Sequence, residues 1–171
     1  SGVISSGAEG DEVTVLQQTC GASFGTAIAG TQTRAGGLWN AEPTSIALIA
    51  ASATYRAKWE DVQSEPVAIH PPMPIFMVPT ATQRNRMRVM VQTGSVQQDM
   101  KGRIVQLERL RNRKWKTIGR KKLVVGLAGG AGFTYEAVFP VKRGWTVRSS
   151  IPAASAAPCF AGNSTKKFKV G

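Results

Sequence analysis

Tyr55-Arg56-Ala57-Lys58-Trp59 carries an uncharged side chain at every odd position and a cation at every even one. A period of two puts the two sets on opposite sides of an extended chain, one dry and one wet, as in a half-buried strand. Val13-Thr14-Val15 and Phe168-Lys169-Val170 alternate in the same way. Around them lie short runs rich in Val, Ile, Thr, Tyr, Phe and Trp, broken by Gly, Pro, Asn and Ser, and helical periodicity is nearly absent. The chain is therefore expected to be all-β, with regularly spaced short strands that favour a β-sandwich.

His70-Pro71-Pro72-Met73-Pro74 interrupts this pattern. Proline has no N–H for a sheet ladder and favours extended backbone. Residues 71–74 are thus expected to be a stiff linker between a domain at 1–70 and another at 75–171. The two sides repeat each other in order. Val3-Ile4-Ser5-Ser6-Gly7 matches Val89-Met90-Val91-Gln92-Thr93-Gly94, and Glu12-Val13-Thr14-Val15-Leu16-Gln17 matches Ile104-Val105-Gln106-Leu107-Glu108. Gly36-Gly37-Leu38-Trp39-Asn40-Ala41 matches Ala131-Gly132-Phe133-Thr134-Tyr135-Glu136-Ala137, and Thr54-Tyr55-Arg56-Ala57 matches Thr146-Val147-Arg148-Ser149. Each half has the length of a small sandwich, and Ile75 to Gln83 reads as an extra leading segment of the second.

Both halves resemble the Ig-like, fibronectin-III-like modules found in tandem on secreted bacterial surface proteins. Gly102-Arg103-Ile104-Val105-Gln106-Leu107-Glu108-Arg109-Leu110, followed by Lys114-Trp115-Lys116-Thr117-Ile118, is similar to their G-x-x-V-x-L-Q-R … W-x-x-V segment. Val147-Arg148 with Ile151-Pro152-Ala153-Ala154 resembles their R-x-x-L-P-A strand, and Gly162-Asn163-Ser164 their G-x-S before the last strand. The first half carries Gly36-Gly37-Leu38-Trp39 and Tyr55 to Trp59 in similar places. The resemblance covers nearly the whole chain. It implies two tandem Ig-like (fibronectin-III-like) β-sandwich domains in a secreted, cell-surface setting. Such modules serve as spacers, adhesins or building units, so the resemblance says more about setting than about activity.

The 171 residues hold 22 Lys+Arg and 10 Asp+Glu, a formal net charge of +12. That total points first to nucleic acid. Divided at the prolines it reads differently. Residues 1–74 hold three cations (Arg34, Arg56, Lys58) and seven acids, net −4, whereas residues 75–171 hold nineteen cations and three acids, net +16. Polyanion binding accounts for the basic half alone. Self-assembly accounts for both, because the acidic module of one copy can dock on the basic module of the next, and such a head-to-tail contact propagates. The acidic face would comprise Glu9, Asp11, Glu12, Glu60 and Asp61. The basic face would comprise Arg109, Arg111, Arg113, Lys114, Lys116, Arg120, Lys121 and Lys122.

Catalytic chemistry finds little support. His70 is the one histidine and sits in the proline segment, so an acid–base apparatus is hard to stage. Asp11-Glu12 and Glu60-Asp61 offer oxygen ligands for calcium, but their spacing fits no calcium loop and solvated turns explain them better. Gly126-Leu127-Ala128-Gly129-Gly130-Ala131-Gly132 is followed by no Lys-Ser/Thr and reads as a flexible hairpin. Trp39 and Trp59 are expected in the core. Trp115, within Arg111-Asn112-Arg113-Lys114-Trp115-Lys116, is expected to begin a strand after a turn and fill the core; its rival role is stacking on a base or sugar. No apolar run reaches the roughly 18 residues of a membrane span, and no cofactor is implied. Asn163-Ser164-Thr165 fits a glycosylation sequon.

The start at Ser1 fits a mature chain that has lost a signal peptide. Cys20 and Cys159 are the candidate disulfide pair. In an extended tandem their loops would lie about 35 Å apart, at about 3.3 Å per residue over a strand of about ten. A disulfide needs α-carbons within about 7 Å, so a bond within the chain requires a folded-back pair, and a bond between copies does not. Two buried free thiols are the other reading. The expected function is a non-enzymatic, secreted structural protein, a homopolymer forming a pilus-like filament, tube or surface layer. The alternative is an adhesion module gripping an anionic cell-surface polymer or polysaccharide through the basic domain. Nucleic acid is disfavoured as a partner.

Overall fold

The computed structural model describes residues 1–42, 52–81, 83, 85–94, 98–126 and 134–171. The glycine-rich run beyond Gly126, the repeat match at residues 131–133 and most of the weakly polar stretch 46–53 lie outside the described residues. The fold is all-β, and the chain divides into two compact units, Ser1–Pro71 and Pro72–Gly171.

Unit 1 contains β1 (Gly2–Val3), β2 (Glu12–Thr19), β3 (Thr26–Gln32), β4 (Leu38–Trp39), β5 (Ala53–Trp59), β6 (Val62–Gln63) and β7 (Val67–Ile69). β1 and β4 form a two-stranded ribbon, and the larger sheet runs β3-β2-β5-β6 with β7 also on β5. All pairings are antiparallel. Unit 2 contains β8 (Ile75–Pro79), β9 (Arg86–Gln92), β10 (Ile104–Arg111), β11 (Lys114–Lys122), β12 (Val124–Val125), β13 (Thr134–Pro140), β14 (Thr146–Ile151), a single-turn helix α1 (Ala153–Ala156), β15 (Asn163–Ser164) and β16 (Phe168–Lys169). One of its sheets runs β11-β10-β14-β15 with β16 also on β14, and the other runs β12-β13-β9-β8.

The period-two reading locates the core of unit 2. Met87, Val89 and Val91 of β9 and Tyr135, Ala137 and Phe139 of β13 are buried from one sheet. Val105 and Leu107 of β10 and Val147, Ser149 and Ile151 of β14 are buried from the other. The sheets meet through contacts of β14 with β8 and of β11 with β13, a sandwich arrangement. Gly119 owes its identity to this contact, since a β-carbon there would lie 3.2 Å from the Phe139 ring.

The larger sheets of the two units share a plan. A central strand, β2 or β10, pairs with its hairpin partner on one side and with β5 or β14 on the other, and two short strands finish the edge. Each central hairpin has one register shift, between Val15 and Leu16 in unit 1 and between Leu107 and Glu108 in unit 2. These are the positions that the sequence repeat superposes. An extra residue there bends and twists the hairpin, so the matched bulges give the two hairpins a similar curl.

The proline segment is fastened to unit 2. Pro72 bridges Ala161, the Met73 N–H donates to the Ala161 carbonyl at 3.0 Å, and the Gln92 N–H donates to the Pro74 carbonyl at 3.1 Å. Met73 is fully buried. Residues 72–74 therefore lead directly into β8, because an apolar side chain between prolines is stabilised by burial more than by a solvated extended chain.

Candidate functional site

The acidic side chains are only partly gathered. Asp11, Glu12 and Glu60 line one shallow depression of unit 1 together with Thr14, Lys58 and Trp59. The β2–β5 register explains this: Thr14 faces Lys58, and the strands run on to Glu12 and Glu60. Asp11 is anchored further by Ser6, whose hydroxyl donates to Oδ2 at 3.1 Å. Glu60 holds a left-handed turn at φ 49° beside exposed Asp61. Glu9 and Asp61 do not line the depression. Among the described residues no group of three or more His, Cys, Asp or Glu is placed to hold a metal ion.

The basic side chains occupy two faces and a turn. Antiparallel partners share a face. Arg111 pairs with Lys114, Arg109 with Lys116 and Val105 with Lys121, while Arg109 also pairs with buried Val147. Arg109, Arg111, Lys114, Lys116 and Lys121 thus lie on the face that continues into the core. Arg120 and Lys122, opposite Gln106 and Ile104, lie on the outer face. Arg113 occupies the hairpin turn at φ 60° after Asn112 at φ 49°. Arg111, Lys114 and Lys116 are exposed, so the opposing sheet does not cover this end of the hairpin.

The tryptophans depart from the expected core positions. Trp115 does begin β11 after a turn, but it is half-buried with its ring 4.4 Å from the Arg148 guanidinium. Arg148 also donates from Nε to Glu108 at 2.7 Å, which makes a Trp115–Arg148–Glu108 chain on the outer face. Trp145 carries the Arg109 guanidinium at 4.4 Å. Partial burial first, and the charge of Arg111 second, push Arg109 below its ordinary value. Trp39 and Trp59 are likewise half-buried. Both line a groove of about 630 Å³ in unit 1 with Val3, Val13, Tyr55, Val62 and Val67. Gly2 lies flat against Trp39, where a β-carbon would be 2.7 Å from the ring. Among the described residues, the two-stranded ribbon of two residues per strand is too small to cover the inner face of β2 and β5, and these rings lie at its margin.

Both cysteines are disulfide-bonded, which replaces the free-thiol reading. His70 Nδ1 lies 2.8 Å from Ser52 Oγ. Ser52 is 1% exposed, so its hydroxyl has no access to a substrate, and the contact is a structural tie to the edge of unit 1. The sequon is occupied internally, because Asn163 Nδ2 donates to the Met73 carbonyl at 2.9 Å. Among the described residues no helix is long and apolar enough to cross a membrane.

No protein-family model and no curated protein sequence matches the chain. The geometry carries the functional reading. Sequence reasoning missed the groove and the two arginine–tryptophan stacks. The signal for the stacks was indirect: Arg109 and Arg148 belong to the repeated strands, but their ring partners lie 36 and 33 positions away in sequence and meet them only through the pairing of β10, β11 and β14.

Proposed function

We propose that this chain is a non-enzymatic structural protein of two tandem Ig-like modules that assembles with copies of itself at a cell surface. The observation that carries the reading is the incompletely covered apolar side of unit 1. Val3, Val62 and Val67 are 64%, 61% and 62% exposed around the Trp39–Trp59 groove. Among the described residues β1 has only β4 as a strand partner, while its sequence counterpart β9 is flanked by both β13 and β8. Exposed apolar surface beside an open strand edge is a template for adding a strand from another molecule. The opposite charges of the units, −4 and +16, orient such encounters head to tail.

The complete chain, purified and imaged by negative stain across salt and protein concentration, is expected to show filaments, rings or layers. Val3→Asp with Val67→Asp is expected to disperse them while leaving circular dichroism unchanged. Monomers under every condition would remove the proposal.

A further inference from the structure

The tip of the β10–β11 hairpin is electrostatically unfavourable as it stands. Arg111 lies directly opposite Lys114, and Arg109 directly opposite Lys116. Like charges directly opposite each other destabilise a strand pair, and this hairpin accepts that twice in succession. The pairs form two rungs about 7 Å apart along the strands, with about 5 Å across each rung. Arg113 adds a further cation at the turn. The acids of the unit are engaged elsewhere: Glu108 with Arg148, Glu136 with Arg88 at 3.5 Å, and Asp99 with the Lys101 N–H at 2.8 Å. Arg109 is held in place over the Trp145 ring.

We infer that this tip is a binding site for a linear anionic polysaccharide, whose successive sulfate or carboxylate groups seat on the Arg109–Lys116 and Arg111–Lys114 rungs. An unfolded chain of spaced anions can reach both rungs without closing on itself, and a Lys/Arg-rich segment of six residues supplies the electrostatic footprint. A polysaccharide fits better than a single-stranded nucleic acid, whose bases stack on free aromatic faces. One face of Trp145 and one of Trp115 are already covered by guanidinium groups at 4.4 Å. The inference is independent of the assembly reading, since it needs one copy of the chain.

The test uses the full chain and heparin as the probe, with affinity measured at several salt concentrations. Arg111→Ala with Lys114→Ala is expected to lower the slope of log affinity against log salt by about two. Lys166→Ala with Lys167→Ala removes the same charge from exposed positions outside the hairpin and is expected to change that slope by less than about one. Equal losses in the two variants would overturn the site in favour of net charge. Duplex DNA displacing heparin at an equal concentration of charge would overturn the polysaccharide assignment. If the first variant disperses assemblies while keeping full heparin affinity, the rungs belong to the contact between copies and the inference fails.

Discussion

β2 and β10 hold the same place in their units, each between a bulged hairpin partner and a strand of related sequence, yet their surroundings differ. Leu107 of β10 is 1% exposed beneath a four-stranded sheet, whereas its counterpart Val15 is half-buried and lines a groove beside a two-stranded ribbon. On the outer face, Leu16 stands opposite Arg56 while Glu108 stands opposite Arg148 and bonds to it. Among the described residues, then, the hairpin and its bulge follow the alternating pattern, while burial follows how much of a second sheet each unit presents. The same framework therefore leaves an apolar groove in one unit and a charged tip on the other.

Four substitutions test this difference between the units. The largest effect is expected at the paired core positions. Leu107→Ala should cost about 2–5 kcal/mol in denaturant unfolding, and Val15→Ala about 1 kcal/mol or less, because only the first leaves an enclosed cavity. Equal costs would mean that unit 1 is as well covered as unit 2. Next, Glu108→Gln should cost about 1–3 kcal/mol, since it removes a charge-assisted bond to a guanidinium that is largely withdrawn from water. Arg56→Ala should stay within about 0.5 kcal/mol.

Arg111→Glu converts one repulsive rung into an attractive pair and should raise thermal stability by up to about 1 kcal/mol while weakening heparin affinity. A loss of stability would remove the claim that the tip is unfavourable in isolation.

The smallest effect concerns pH. Burial, and the nearby Asp99 carboxylate, raise the Tyr135 phenol above its ordinary value. The unfolded chain then ionises first. Stability from this residue is full below about pH 10 and falls as pH climbs from there towards the raised folded value. Tyr135→Phe should flatten that fall in alkaline denaturation curves.

Much of the fold was legible beforehand because strand periodicity is local. Tyr55 to Trp59 and Val13 to Val15 lie in the strands that their alternation indicates, and the repeat placed β2 with β10 and β5 with β14. The candidate sites were less legible. A run such as Arg109 to Lys122 looks like one basic face when read linearly. Folding it into a bulged hairpin sends Arg120 and Lys122 to one side and Arg109, Arg111, Lys114 and Lys116 to the other. Tryptophan is apolar enough to be expected inside, but the indole sits equally well as a half-buried platform for a guanidinium.

The strand class and the opposition of −4 and +16 could be read from the residues alone. Each of these follows from composition or from neighbours within a few residues. Which cations share a face, which rings they cover, how the proline segment attaches and where apolar surface stays open among the described residues emerge only in the folded chain. Those outcomes depend on register and on the extent of the opposing sheet, which arise from pairings between residues distant in the chain.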